Sequence, residues 1–206
     1  MSSQTLHTEN AACTLTITAT QLAGEVLRLH YRVVNRAAEP LYLYNLFWND
    51  SHVNPATGKE QFEISPHDAY VRLDGQRVHV ALAAMRVALS DGLGVRYIPC
   101  LTRLETNHAA PFEATLDLHL PLVPYLKSAT ATPDFPLLLP LHFELGYFLG
   151  DAETAKHISP AATNVGLAYQ AVPFLASSQH LIATGPFSEP VAVAPWLGKD
   201  ASRPWE

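Results

Sequence analysis

TLTITATQLAGEVLRLHYRVVNRAAEPLYLYNLFW, residues 14–48, is the stretch whose reading decides the fold. Its first part alternates strictly, with Leu15, Ile17 and Ala19 on one face and Thr14, Thr16, Thr18 and Thr20 on the other. Successive side chains of a strand point to opposite faces, so a period of two marks a half-buried strand. β-Branched Thr and Ile also suit a pleated surface. Ala23-Gly24-Glu25 supplies a turn, since Gly24 tolerates positive φ. A second alternation follows, Leu27, Leu29, Tyr31 and Val33 facing inward and Arg28, His30 and Arg32 outward. Residues 35–40 turn again, and Pro40 opens a third strand, where its missing N–H costs least. There Tyr42 and Tyr44 alternate with Leu41 and Leu43. Strands spaced by about ten residues and joined by short turns are the mark of a sandwich or barrel.

The apolar second strand ending in Val33-Val34-Asn35, followed by a strand led by Pro40, resembles immunoglobulin-like domains. The resemblance covers roughly the first quarter of the chain. It implies an all-β, immunoglobulin-like antiparallel β-sandwich with extra strands and long loops, and it carries over no functional residue. Intracellular protease-inhibitor-like sandwiches resemble the same strands equally well, but no matching reactive-loop motif is present.

A chain of 206 residues buries roughly 70% of its unfolded surface and needs neither disulfide nor metal for stability. No linker divides it, so one elaborated domain is expected over 1–194, with a C-terminal tail at 195–206. A composition 48% hydrophobic and 16% charged excludes a disordered chain. A net charge of -6 without any basic run argues against a nucleic-acid partner. The N-terminus has no basic region followed by an apolar core, so no signal peptide is expected. The longest apolar segment, 137–149, is broken by Pro140, His142 and Glu144 and is too short and polar to span a bilayer. A cytoplasmic location, with no membrane partner, is the resulting expectation. Cys13 and Cys100 read as two reduced thiols, because Cys13 is expected to precede the first strand and an immunoglobulin bridge would start from the second.

Beyond residue 48, residues 49–68 read as a long polar loop, of the length that is usually functional or mobile. Asp74-Gly75 marks a hairpin between strands at 69–73 and 77–82, and 83–89 continues the second of them. Residues 95–104 form a strand interrupted at Pro99, and 112–120 alternate cleanly. Five prolines within 121–140 forbid a central strand there and suggest a segment that wraps a sheet edge or crosses between sheets. Residues 141–149 alternate again, 150–166 read as a loop with a helical turn near 152–157, and shorter strands are expected at 167–175, 180–184 and 187–193.

Ten histidines give the sequence its candidate chemistry. Asp117 and His119 lie two apart on one strand, and His142 and Glu144 two apart on another, so each pair shares a face. If those strands pair, four N/O ligands gather in a set that zinc or manganese tolerates; otherwise they are solvated residues of amphipathic strands. His52, His67 and Asp68 form a second group, in which a His-Asp pair would orient a general base, though no nucleophile motif accompanies it. Tyr42, Tyr44, Phe47 and Trp48 make a sugar- or protein-binding platform if they point outward and line a second core if they do not. His52, His67 and Trp48 are the resulting binding-surface candidates. A blue-copper site fails, because no His follows Cys100 until His108 and no Met lies beyond Met85. No phosphate loop, C-x-x-C or H-E-x-x-H appears, and no motif implies a cofactor. The sequence therefore points to a non-enzymatic module that binds another protein or self-associates through edge strands. The alternative is a metal-dependent or small-molecule enzyme using the strand histidines and carboxylates.

Overall fold

The alternating residues of the N-terminal stretch form the middle of a four-stranded antiparallel sheet with the order β1-β2-β3-β12. Its strands are β1 (Ser3–Glu9), β2 (Cys13–Leu22), β3 (Val26–Asn35) and β12 (Phe112–His119). The computed structural model describes residues 3–88, 94–97, 99–106, 110–125, 136–171 and 178–195. Apart from one short helix the described chain is all-β. Leu15, Ile17, Leu27, Leu29, Tyr31 and Val33 are all buried, as their spacing requires, while Arg28, His30 and Arg32 are exposed.

Most other strands belong to one ten-stranded sheet. They are β4 (Leu41–Leu46), β5 (Trp48–Val53), β6 (Glu60–Ile64), β7 (Tyr70–Asp74), β8 (Arg77–Leu82), β11 (Cys100–Leu104), β14 (Leu141–Leu149), β15 (Ile158–Thr163), β16 (Gly166–Ala171) and β17 (His180–Thr184). The order is β5-β6-β15-β16-β11-β4-β14-β8-β7, with β17 also paired to β14. β9 (Met85–Ala88) with β10 (Gly94–Tyr97), and β13 (Leu137–Leu139) with β18 (Val191–Val193), form two small separate pairs. The helix α1 (Ala152–Ala155) is capped by Asp151, whose carboxylate accepts from Thr154 N–H at 2.7 Å.

β14 is the hub of the large sheet. Leu141–Leu145 run parallel to β8, Tyr147–Leu149 run antiparallel to β4, and Phe143–Tyr147 run antiparallel to β17. A strand has only two edges, so β8 and β4 share one of them end to end and β17 holds the other. β15 is likewise parallel to β6. The sheet is therefore mixed, where an antiparallel one was expected.

One core joins the two sheets. Leu15, Ile17, Leu29, Tyr31 and Leu116 pack in the same apolar cluster as Leu43, Val78, Val80, Phe143 and Leu145. Tyr31 lies between Phe112 and Phe143, with ring centroids 5.9 and 5.5 Å away. The far face of the large sheet carries two smaller clusters, one built on Tyr42, Tyr44, Leu101 and Phe148, the other on Phe62, Ile64, Cys100, Ala161 and Ala168. Covered on both faces, β4 buries Leu41, Tyr42, Leu43, Tyr44 and Asn45 in succession. At the end of β3, buried Asn35 donates through Nδ2 to the carbonyls of Glu39, Leu104 and Glu105 and accepts from Ala37 N–H, tying that turn to the end of β11.

Several sequence expectations change. β1 precedes the strand read as the first, so Cys13 opens the second strand. β1 escapes notice because Leu6 is its one large apolar residue, and polar side chains on both faces leave no hydrophobic period. The polar stretch 49–68 holds β5 and β6, and the stretch after α1 holds β15. Pro160 fits in β15 because its neighbour β6 pairs only at Ala162 and Thr163, leaving the edge at Pro160 free of a ladder bond. The 95–104 strand is split around Pro99 into β10 and β11. The proline-rich segment does lie on a sheet edge where it is described, Tyr125 N–H donating to Val71 O at 2.7 Å. Residues 89, 126–135, 172–175 and 196–206, on which parts of other expectations fall, lie outside the described residues.

Candidate functional site

The outer face of the small sheet is a polar array in three cross-strand rows. Ser3, Thr20, Arg28 and Asp117 form the first, Thr5, Thr18, His30 and Thr115 the second, His7, Thr16, Arg32 and Glu113 the third. Side chains bond along every row: Ser3 to Thr20 at 3.0 Å, Thr5 to Thr18 at 2.8 Å and His7 to Thr16 at 3.0 Å. Arg28 grips Asp117 with two bonds, at 2.7 and 2.6 Å, and so holds that carboxyl below its ordinary value. Arg32 pairs with Glu113 at 3.2 Å. These groups satisfy one another, which is what a flat polar sheet face facing water requires.

The proposed four-ligand set does not assemble. Asp117 and exposed His119 lie on β12 in the small sheet, whereas His142 and Glu144 lie on β14 in the large one, and β12 pairs with β3 instead. Among the described residues no group of three or more His, Cys, Asp or Glu side chains is arranged to hold a metal ion. The His-Asp pair also divides. His67 Nδ1 accepts from the backbone N–H of Asp117 at 3.1 Å, so its ring caps the edge of β12. Burial holds the Asp68 carboxyl above its ordinary value, and its Oδ2 is buried without a hydrogen-bond partner. His52 faces Glu63 at 3.5 Å, and half-buried Trp48 packs edge-on against Phe62, both at the outer end of the large sheet. Tyr42, Tyr44 and Phe47 are buried, so the aromatic platform is an interior feature.

Parallel pairing of β8 with β14 instead builds a cluster that the sequence did not announce. It sets His79 beside His142, with Arg72 of β7 on the other flank of His79. Glu144 Oε1 accepts from Arg72 Nη2 at 2.6 Å and from His79 Nδ1 at 2.8 Å. A carboxylate only accepts, so His79 Nδ1 carries the proton; its 3.4 Å approach to Arg72 is that of two donors meeting on one oxygen. His79 is 8% exposed, and its Nε2 has no hydrogen-bond partner. The His142 ring stacks on it at 4.9 Å with planes 17° apart. Burial, with the charges of His79, Arg77 and Arg72 behind it, holds His142 below its ordinary value, against the opposing pull of Glu144. The Nε2 atom is enclosed, and the other polar groups of the cluster bond to one another.

Gly185 closes this cluster from the side of β17. Its φ is +130°, and a Cβ there would meet His142 Nδ1 at 2.8 Å and His142 Cα at 3.0 Å. Gly185→Ala combines backbone strain with a clash against a packed ring. It is expected to lower stability by about 1–3 kcal/mol in urea denaturation.

The remaining distinctive feature is the unpaired side of β1, which β17 approaches without pairing. Exposed sheet edges are normally blunted. The edge of β12 is capped by the His67 ring, that of β7 by the Tyr125 amide, and β5 is interrupted by a register shift between Trp48 and Asp50. Among the described residues no strand pairs with the other side of β1, and its seven residues contain no Pro, Lys or bulge. Asn10 N–H donates to Cys13 O at 3.0 Å, closing the turn into β2. Bonded and non-bonded pairs alternate along an antiparallel ladder. Counted back from that turn, Gln4, Leu6 and Thr8 bond to β2, while Ser3, Thr5, His7 and Glu9 direct their N–H and C=O groups outward.

No family model, curated protein or solved structure matches the chain. The sequence missed β1, and the signal that could have found it is the tract Ser3, Thr5, His7 set against the Thr16, Thr18, Thr20 tract of β2. Such residues stack well across strands even without an apolar period.

Proposed function

We propose that this chain is an immunoglobulin-like β-sandwich acting as a non-enzymatic interaction module, with the unpaired side of β1 as its docking edge. The sandwich reading is supported by the single core shared between the small sheet and β8 and β14. The docking reading rests on one observation: among the described residues no strand pairs with the outer side of β1, whose row of backbone donors and acceptors, approached but not paired by β17, carries no Pro, Lys or bulge. An extended partner segment laid along it would extend the sheet, main-chain bonds giving affinity and alternate side chains giving selectivity. The partner is a protein and not a nucleic acid: the net charge is -6, and Arg28, Arg32, Arg36, Arg72 and Arg103 are already paired with carboxylates. Among the described residues no helix is long and apolar enough to cross a membrane, and the proposal invokes no membrane partner. Cys13 and Cys100 are buried and unbridged, their thiols pushed up by burial to about 11 and about 12, which suits a reducing compartment such as the cytoplasm.

Thr5→Pro tests the docking reading. It removes one outward N–H while leaving the bonds to β2 intact, since proline is tolerated on the free side of an edge strand. Affinity capture from cells with wild-type and T5P baits of equal melting temperature is expected to lose its specific partners in the variant. Identical captured sets would overturn β1 as the docking strand.

A further inference from the structure

We infer that the chain carries a small-molecule site between its two sheets, beside the segment that follows β17, and that its ligand is an uncharged carboxamide with an apolar body. The site lies on the inner face of the small sheet. It is therefore separate from the outward backbone groups of β1 and does not depend on the docking reading.

The apolar period that builds the core breaks down at this end of the sheet. The inward row of β2 runs Leu15, Ile17, Ala19, Gln21, passing from fully buried aliphatic residues to a small one and then to an amide. Gln4 stands directly opposite Ala19, and Gln21 directly opposite Leu27, all on that inward face. A cleft of about 370 Å³, mouth included, remains where larger apolar side chains would have filled the space. That is within the range of small-molecule pockets. Buried Leu27, Leu141, Phe187 and Val191 supply its apolar wall.

The two glutamines form its polar end, and their orientations are fixed by the segment beside them. Gln4 Oε1 accepts from both the backbone N–H and the hydroxyl of Ser188, so Gln4 turns its NH2 group away from that serine. Gln21 does the reverse: its Nε2 donates to the carbonyl of Pro190 at 3.4 Å, which leaves its own carbonyl for another donor. Among the described residues nothing bonds Gln4 Nε2 or Gln21 Oε1. As diagonal neighbours the two side chains start about 7–8 Å apart, a gap that one planar polar group bridges. A carboxamide matches both, its C=O accepting from Gln4 and its N–H donating to Gln21. No Lys, Arg or His lines the cleft among the described residues, and the exposed Glu189 carboxylate stands at its rim. Carboxylates and phosphates are thereby disfavoured.

Two-dimensional amide NMR on the full chain, titrated with phenylacetamide and with its charged isostere phenylacetate, tests the site. Phenylacetamide is expected to bind with a dissociation constant of about 1 mM or tighter, moving the side-chain NH2 signals of Gln4 and Gln21 and the backbone amides of Ala19 and Ser188. Phenylacetate is expected to bind at least about tenfold more weakly. Gln21→Met keeps the length of the side chain without its acceptor and is expected to weaken phenylacetamide at least about fivefold. Wild-type protein whose Gln4 and Gln21 signals stay still at about 20 mM phenylacetamide, or which binds amide and carboxylate equally, would overturn the site whether or not the variant folds. A folded Q21M protein that binds phenylacetamide as tightly as wild type would overturn the glutamine clasp and with it the carboxamide assignment.

Discussion

Replacing Phe143 with alanine is expected to cost about 3–5 kcal/mol of folding stability, the largest effect of any single truncation considered for this chain. Phe143 is fully buried, and its ring stands 5.5 Å from that of Tyr31 across the junction of the two sheets. It also lies on the part of β14 flanked by β8 and β17 at once. The cavity would open where three strands and the second sheet meet, so local collapse cannot fill it cheaply. Urea denaturation should show a lower midpoint at unchanged slope. Leu167→Ala provides the contrast, because Leu167 is 70% exposed, and its effect should stay within about 0.5 kcal/mol. Equal costs at the two positions would mean that the sheets do not share a core.

Glu144→Ala is the second large effect, expected at about 2–4 kcal/mol. The substitution strips the acceptor from His79, whose ring is nearly enclosed, and from Arg72. The upper half of that range is reached only if Arg72 fails to turn toward water, since its side chain is 31% exposed. Glu144→Gln keeps an acceptor for His79 but loses the charge facing Arg72, and should cost less. The same cluster gives a pH dependence whose sign follows from His142. Its folded value lies below the ordinary 6.5, so the unfolded chain takes up the proton first. The stability is therefore fully present above about pH 6.5 and is lost as pH falls through that value toward the lower folded one. His142→Phe, which retains a flat ring over His79, should flatten that part of the stability–pH curve. An unchanged slope would mean that His142 stays as easily protonated as a free imidazole.

Where one face of a strand is apolar, the sequence disclosed the fold well. Leu15 to Val33 could be assigned inward or outward residue by residue, because burying one face of β2 and β3 forces the period of two. β4 was harder, since its residues are buried on both sides and the alternation of Tyr with Leu records two cores and not a core and a surface. β1, β5 and β6 were invisible for the opposite reason: their polar residues are held by cross-strand bonds such as Thr5 to Thr18 and Ser51 to Glu60, which leave no hydropathy trace. Of the candidate residues, His142 and Glu144 do meet other ionisable groups. Their partners Arg72 and His79 come from strands brought alongside by a parallel pairing, and such long-range adjacency is not written in local spacing.

Amide hydrogen exchange along β1, in the free chain and in complex with a captured partner, tests the docking strand most directly. Gln4, Leu6 and Thr8, bonded to β2, should be slow in both states. Thr5 and His7 should exchange freely in the free chain and become protected in the complex. Thr5 and His7 amides that exchange at the same fast rate in both states would contradict the assignment of β1 as the interacting edge.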